Sequence, residues 1–169
     1  MKKFLWLLVL AFFFTGCDGT SGTRQNQIVQ MNIPEATGYI VDSINLLPQD
    51  IKATIEQACK DFDTTNQIAQ IAVLIVDSTQ PYDIDQYGIK VAEKWKVGYA
   101  GKDNGVIIIV AKSDRKWRIE VGRGLEGSGL NDSVAGEIGR NVMVPEFKQG
   151  NYGAGILKGV LAIEERIKK

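Results

Sequence analysis

Oxygen-bearing side chains gather in two glycine-rich stretches near the middle of the chain. Asp103 and Asn104 lie in the first stretch, and Glu126, Asn131 and Asp132 lie in the second. Carboxylate, amide and backbone carbonyl oxygens are the ligands of hard divalent cations, and calcium tolerates irregular arrangements of them. The residue types therefore predict a site for calcium, or else magnesium, whose candidate ligands are Asp103, Asn104, Glu126 and Asp132.

A purely structural role is open to the same residues. Asp and Asn in such loops commonly close turns and cap helices, and either Asn131 or Asp132 can cap the helix predicted to follow. Glycines such as Gly101, Gly105 and Gly127 let backbone carbonyls approach a cation where a side chain would block them. Spacing alone leaves both interpretations open.

An enzymatic interpretation goes one step further. A metal held by Asp103 and Asp132 could polarise a phosphoryl oxygen and deliver a metal-bound hydroxide. Lys102 and Arg123 are then the candidate phosphate contacts, because their charge would neutralise the phosphate. The catalytic residues of such a phosphatase are not identified by the sequence.

The composition excludes several other kinds of chemistry. The chain has 169 residues, with 20 Lys and Arg against 20 Asp and Glu, so no net charge draws it to nucleic acid. It has no histidine, which excludes Ser-His-Asp and Cys-His mechanisms, and Ser128 and Ser133 have no visible activating base. Residues 122–127 match G-x-G-x-x-G, but the next helix is predicted to begin only at about Asp132, too late to meet a pyrophosphate. Nucleotide binding is not expected.

Two strands joined by a tight turn position the glycine-rich stretches. Residues 106–110 are continuously apolar, as is typical of a strand covered on both faces. Trp117, Ile119 and Val121 alternate with more polar positions, which is typical of a strand with one wetter face. The connection 112–116 is too short for a crossover, so the two strands are predicted to be antiparallel. The stretch before the first strand and the stretch after the second therefore lie at the same end of the sheet.

Residues 71–76 form another continuously apolar run and are predicted to be a second central strand. The helix that follows, capped by Asp83, connects it to residues 106–110, so these two strands are predicted to be parallel. Asp77, at the far end of its strand, then lies at the opposite end of the sheet from Asp103. It is therefore left out of the predicted site.

The other apolar residues recur at the spacing of helices. One helix is predicted to begin near Pro48 and to bury Cys59 as a core residue, since no His or nearby cation lowers the pKa of that thiol. A second is predicted from about Asp132 until Pro145 breaks it, and the last is capped by Asn151.

Strands buried on both faces need helices on both sides of the sheet. The predicted fold class is therefore α/β, a three-layer α/β/α sandwich with a small mixed sheet made of a parallel pair plus an antiparallel hairpin strand. Residues 39–42 are predicted to add a short strand or an ordered lead-in to it.

The order of these pieces resembles the TPM domain family. The resemblance rests on GxxGKDNG at residues 98–105, an apolar strand, and RIEVGxGLEG at residues 118–127. It covers about residues 39–163, and it implies the same α/β/α sandwich. It also implies calcium or magnesium binding and weak acid phosphatase activity. Family members include chloroplast lumen proteins tied to photosystem II repair and bacterial membrane-anchored proteins.

The first 38 residues are predicted to be an export signal followed by a tether. Lys2 and Lys3 precede an apolar run at residues 4–14, and Thr15-Gly16-Cys17 resembles a bacterial lipobox. We therefore predict a lipoprotein signal peptide at residues 1–16, lipidation of Cys17 and a flexible tether at residues 17–38 before the TPM domain at residues 39–169. The predicted location is the cell envelope, lipid-anchored to a bacterial membrane and facing the periplasm or exterior. An ordinary secretory signal is the alternative.

A membrane-tethered interaction module is the function that competes with the phosphatase. The resemblance implies that such a domain assists membrane protein complexes, so a membrane protein is the expected partner. Trp95, Tyr99, Trp117 and Tyr152 could anchor an interface, although Trp95 and Trp117 lie on apolar faces and are predicted to belong to the core.

Overall fold

The computed structural model describes residues 31–167. The predicted signal peptide, Cys17 and the tether up to residue 30 lie outside the described residues. Within the described range, no helix has the length and apolar character needed to cross a bilayer.

A four-stranded mixed sheet forms the centre of the domain. Its strands are β1 (Ile40–Asp42), β2 (Gln70–Val76), β3 (Gly105–Ala111) and β4 (Lys116–Val121), in that spatial order. β1 and β3 each pair with β2 in parallel, and β4 pairs with β3 as an antiparallel hairpin. The predicted α/β fold with its parallel pair and hairpin is confirmed, and β1 extends the parallel part to three strands.

Helices cover both faces of the sheet, as the apolar runs in β2 and β3 require. On one face, α1 (Gln49–Asn66), α3 (Asp132–Ile138) and α5 (Tyr152–Ile167) pack on the alternate strand residues that include Val73, Ile108 and Ile119. On the other face, α2 (Ile84–Trp95) covers the intervening residues, among them Leu74 and Ile109. Because every residue of β3 is buried, each face contributes hydrophobic stabilisation of about 2 kcal/mol per large side chain.

The structure confirms two predictions about individual helix residues. The Asp83 carboxylate accepts a hydrogen bond from the N–H of Asp85 and so caps α2. Cys59 is fully buried on α1, and burial raises the pKa of its thiol to about 12. A thiol in that state remains protonated and behaves as a small apolar side chain.

Pro145 does not break the helix that begins at Asp132, and that prediction was wrong. A π-helical turn (Gly139–Met143) follows α3, and α4 (Val144–Lys148) continues directly from it with Pro145 in its first turn. Proline in a helix removes one N–H and crowds the carbonyl four residues earlier. The wider π turn placed just before it accommodates both effects.

The described part of the predicted tether is packed against α2. The backbone carbonyls of residues 32–34 accept hydrogen bonds in turn from Tyr87 (3.0 Å), Lys94 (2.7 Å) and Trp95 (2.8 Å). Met31 and Ile33 pack on the same hydrophobic cluster as α2. The polar composition of the predicted tether concealed this short apolar segment, which adds to the domain on the amino-terminal side of residue 39.

The register of the strands defines two ends of the sheet. Gln70 pairs with Gly105 at one end, and Val76 pairs with Ala111 at the other. The loops that precede β3 and follow β4 meet at the first end, here called the loop end. Asp77 lies at the second, here called the hairpin end, where its carboxylate accepts from the Ser113 hydroxyl at 2.6 Å. The predicted separation of Asp77 from Asp103 is confirmed.

Candidate functional site

Two loops at the loop end touch through their backbones. The N–H of Gly122 donates to the carbonyl oxygen of Gly105, and the N–H of Gly124 donates to that of Asp103, both at 2.8 Å. A Cβ atom on Gly124 would overlap the Lys102 carbonyl oxygen, and one on Gly122 would overlap that of Asp103. The glycines of this stretch are therefore needed for close backbone contact between the loops.

Asp103 joins the two loops. It has a positive φ of 46°, a left-handed conformation that Asp tolerates better than most residues. Its side chain is exposed, and Oδ2 accepts a hydrogen bond from the N–H of Arg123 at 3.2 Å. One carboxylate oxygen thus bridges the loops while the side chain remains at the surface.

Asn104 has its side chain inside the domain. It is only 4% exposed. Its Oδ1 accepts from the N–H of Tyr99 at 2.8 Å, and its Nδ2 donates to the carbonyl oxygen of Ile68. Asn104 therefore fastens the loop to Ile68, the second residue after α1, and a role as metal ligand does not fit the position of its side chain.

The remaining candidate ligands lie further along the chain. Glu126 is exposed in a 3-10 turn (Arg123–Ser128), and Asp132 is exposed in the first turn of α3. Asn131, rather than Asp132, caps α3 by accepting from the N–H of Val134 at 3.1 Å. α3 begins at Asp132, as predicted, so the G-x-G-x-x-G stretch opens a 3-10 turn and not an α-helix.

The donor set does not form a cage of side chains around a cation. Among residues 31–167, no three acidic, Cys or His side chains converge as a metal site. Asn104 is committed to the loop, so the donors that fit a hard cation are the Asp103 carboxylate and the carbonyls of the glycine-rich loop around it. Such a set is typical of weak, water-rich calcium sites.

The two candidate phosphate contacts, Lys102 and Arg123, have different surroundings. The Lys102 ammonium lies 5.3 Å from the centroid of the Tyr99 ring, in a cation–π contact. Arg123 lines a groove at the loop end. The Ser128 hydroxyl donates to the carbonyl oxygen of Leu125 at 2.7 Å, which completes the 3-10 turn.

A groove at the loop end is lined by two of the predicted site residues, Asp103 and Arg123. It has a volume of about 940 Å³ and runs between α2 and the two loops. Ile89, Tyr99 and Val121 supply apolar surface, while Asp103 and Arg123 supply opposite charges. We call it the loop-end groove.

Asp63 lies beside the candidate site through its bond to Tyr99, and its role was not predicted from the sequence. This carboxylate is only 8% exposed, and it accepts hydrogen bonds from the hydroxyls of Tyr39 (2.6 Å) and Tyr99 and from Nε2 of Gln70 (2.9 Å). Gln70 Oε1 in turn accepts from the N–H of Gly98 at 2.9 Å. The signal was present in the sequence, because Asp63 lies four residues after Cys59 on the apolar stripe of α1.

Hydrogen bonds set the protonation state of this cluster. Burial disfavours the Asp63 anion, but the bonds from Tyr39, Tyr99 and Gln70 outweigh that effect and lower its pKa. The hydrogen bond to Asp63, with burial, raises the pKa of Tyr39 to about 12. The same bond raises the pKa of Tyr99. At neutral pH a buried anion therefore holds the start of β1 and the Tyr99 loop against α1.

The aromatic residues named as candidate anchors are all partly buried. Trp95 and Trp117 pack on the two hydrophobic clusters, one on each face of the sheet. Tyr99 reaches Asp63 from the loop-end groove, and Tyr152 stacks on Phe147 with ring centroids 5.2 Å apart. Both tryptophans therefore pack against the core, as predicted, but each keeps part of its surface exposed.

Comparison with known proteins places this fold among bacterial domains. Residues 40–166 match the family model described as the TPM domain. The solution structure of the N-terminal domain of a protein from P. gingivalis is similar, with a TM-score of 0.70 and 25% identity over 82% of this chain and 94% of that one. No curated protein matches the chain.

Two further solution structures share the fold at lower identity. One is the N-terminal domain of the cg2496 protein from Corynebacterium glutamicum, with a TM-score of 0.61 and 15% identity over 79% of this chain and 82% of that one. The other is the BA42 protein from Bizionia argentinensis, with a TM-score of 0.62 and 23% identity over 75% and 84% of the two chains.

Proposed function

The chain belongs to the TPM domain family, and we propose that it acts as a binding domain, tethered to a membrane, that presents its loop-end groove to a membrane protein partner. The tether of this proposal is lipidated Cys17 in a lipobox-like sequence. The corresponding location is the bacterial cell envelope, on the periplasmic or exterior side of a membrane.

The character of the loop-end groove carries this proposal. Ile89 lines it and is 51% exposed, and concave surfaces lined by apolar side chains with a few polar groups are typical binding sites. The charged residues that line the groove include Glu93 on α2, Lys96 directly after α2, and Asp103 and Arg123 on the loops. An apolar centre with a charged rim is the usual composition of a protein interface.

A crosslinking experiment tests this proposal. With a photoreactive amino acid at Ile89 in the full chain, in cells that produce the protein, we expect a covalent adduct with a membrane protein. Leu161 on α5 is the matched control, because it is also apolar and 49% exposed but lies on another helix. Equal adducts from both positions, or an Ile89 adduct unaffected by Arg123→Glu, would refute a role for the groove.

Weak calcium binding at the loop end is the second part of the proposal. It is supported by the exposed Asp103 carboxylate, of which only one oxygen is seen bonded, to the N–H of Arg123. Glu126 and Asp132 are the candidate outer ligands, and Asn104 is left out of this proposal because its side chain is buried and hydrogen-bonded within the domain. Magnesium demands stricter octahedral geometry and is the less favoured ion.

Calcium titration of residues 31–169 checks this part. We expect amide signals of residues 98–105 to shift with a dissociation constant on the order of 0.1–1 mM, and to lose most of that shift in Asp103→Asn. Asp132→Asn is expected to weaken binding less. Asp61→Asn, an exposed acid on α1, is the matched control. A wild-type titration that leaves these signals unmoved at 10-fold higher calcium would remove the ion from the proposal.

Metal-assisted weak acid phosphatase activity is the alternative function. It would use Lys102 and Arg123 on a phosphate, yet the Lys102 ammonium lies over Tyr99 and the Ser128 hydroxyl is bound to Leu125. The groove therefore favours binding over hydrolysis.

A further inference from the structure

A second cavity lies at the hairpin end of the sheet, the end opposite the loop-end groove. It has a volume of about 700 Å³ and is bounded by the β3–β4 turn and by the segment that joins α4 to α5. We call it the hairpin-end cavity. Its volume lies within the range of small-molecule sites, roughly 300–1,000 Å³.

Flat aromatic surfaces form the wall of the hairpin-end cavity. Phe147 and Tyr152 stack with ring centroids 5.2 Å apart and an interplanar angle of 26°. Trp117 lies across from them on β4, held against Gly139 where a Cβ would overlap its ring. All three side chains are partly exposed, so the rings offer planar apolar surface that the core does not use.

The charged residues that line this cavity are all basic. They are Arg115, Lys116 and Lys148, in a chain whose formal net charge is zero. Lys116 is paired with Asp83 at 3.3 Å. In the described part of the chain, Arg115 and Lys148 form no ion pair and are exposed.

The acidic residues closest in sequence to these two cations are engaged elsewhere. Asp114, next to Arg115, accepts hydrogen bonds from the Ser78 hydroxyl (2.7 Å) and the N–H of Thr79 (2.8 Å). Glu146, two residues before Lys148, is paired with Lys158 at 2.5 Å. Neither acid lines the cavity, so its lining carries cations only, beside an aromatic wall.

Arg115 also occupies a backbone position that favours another residue. Its φ is 53°, in the left-handed region where glycine or asparagine is preferred and other residues cost roughly 1 kcal/mol. Folding of the turn does not require an arginine there. An unfavourable backbone conformation beside a cavity is a reason to look for a binding role.

We propose that the hairpin-end cavity binds a small organic anion that carries a planar apolar group, such as an aryl carboxylate or aryl phosphonate. Phe147, Tyr152 and Trp117 contact the flat group, and Arg115 and Lys148 contact the anion. Arg115 supplies the directional contact, because its guanidinium can donate two parallel hydrogen bonds to a carboxylate or phosphonate. This site is independent of the loop-end groove.

Phenylphosphonate is the probe that tests the proposal, on residues 31–169. This fragment contains both hydrophobic clusters and forms one compact unit. Its two tryptophans, Trp95 and Trp117, give two indole N–H signals. We expect saturable shifts of the Trp117 signal, while Trp95, hydrogen-bonded to Pro34, does not move.

Two variants and two further probes make the test decisive. Arg115→Gly and Lys148→Gln are each expected to weaken phenylphosphonate binding at least fivefold, and Arg115→Gly is expected to keep or raise the melting temperature. Lys112→Gln, an exposed cation in the same turn, is the matched control with unchanged affinity. Methylphosphonate, which lacks the ring, should bind at least tenfold more weakly, and benzyltrimethylammonium should not bind.

Several results would overturn the proposal. One is an unmoved Trp117 signal at 20 mM phenylphosphonate. Another is equal affinity in the Arg115→Gly variant. A third is binding of benzyltrimethylammonium as strong as that of phenylphosphonate, since the cavity would then select the ring and not the charge.

Discussion

Gly124→Ala is expected to destabilise the domain by about 3 kcal/mol and to separate the two loops of the loop end. The added Cβ would overlap the Lys102 carbonyl oxygen. That oxygen belongs to the backbone of a loop that Asp103 fastens to Arg123 and Asn104 fastens to Ile68. It therefore has little freedom to move. The Gly124 N–H bond to the Asp103 carbonyl, 2.8 Å in the wild type, would be lost as well. Urea unfolding measures the free energy, and a melting temperature lower by roughly 10 °C should accompany it.

Gly127→Ala is the matched control for this change. Gly127 lies in the same 3-10 turn, but a Cβ there meets no atom within 4 Å and its φ is not positive. Alanine should then be neutral or stabilise by about 0.5 kcal/mol, because it restricts the unfolded chain. Equal stability of the two variants would show that the loops do not depend on close backbone contact. Loss of the Ile89 crosslink in Gly124→Ala alone would connect the loop packing with partner binding.

Asp63→Asn is expected to cost about 3 kcal/mol of stability at pH 7. The carboxylate accepts hydrogen bonds from two tyrosine hydroxyls and one glutamine amide. An asparagine offers one acceptor oxygen and places an N–H₂ group against these donors, so at least one buried donor is left without a partner. Asp61→Asn is the control, since Asp61 lies on the same helix and is exposed, and its carboxylate accepts from Nε2 of Gln57.

The pH dependence of this difference has a definite sign. Asp63 has a lowered pKa in the folded state, so its stabilisation is fully present above its unfolded value of about 3.9 and is lost as the pH falls through the lowered pKa. Tyr39 has a pKa raised to about 12, so its contribution is present below about pH 10 and is lost as the pH rises toward 12. The difference between wild type and Asp63→Asn should therefore be largest between about pH 5 and 9. A constant difference from pH 2 to 9 would contradict the charged state assigned to Asp63.

The sequence was sufficient to predict the central strands and the meeting of the two loops. β2 and β3 are buried on both faces, and this constraint appears directly as unbroken apolar runs. The short connection after β3 permits only a hairpin, and the helix before β3 requires a parallel crossover. These restrictions depend on the length of the connections and on the burial of the strands, and both can be read from the sequence.

The direction of single side chains was not predictable in the same way. Asp103 and Asn104 are adjacent and chemically alike, yet one faces water and the other is 4% exposed. The positive φ of Asp103 turns the chain between them, and the sequence does not specify that dihedral angle. The π turn before Pro145 is a comparable case, because the helix changes its hydrogen-bond spacing locally instead of ending.

The contact of residues 32–34 with α2 determines where tension would enter this domain. A pull on the chain from the amino-terminal side of Met31 would first load the hydrogen bonds to Tyr87, Lys94 and Trp95. The ion pair of Glu35 with Lys94 at 2.7 Å shares that load. β1, a strand of only three residues at the edge of the sheet, follows these bonded residues in the chain. Force on a tether would therefore reach α2 before it could separate β1 from β2 and release Tyr39 from Asp63.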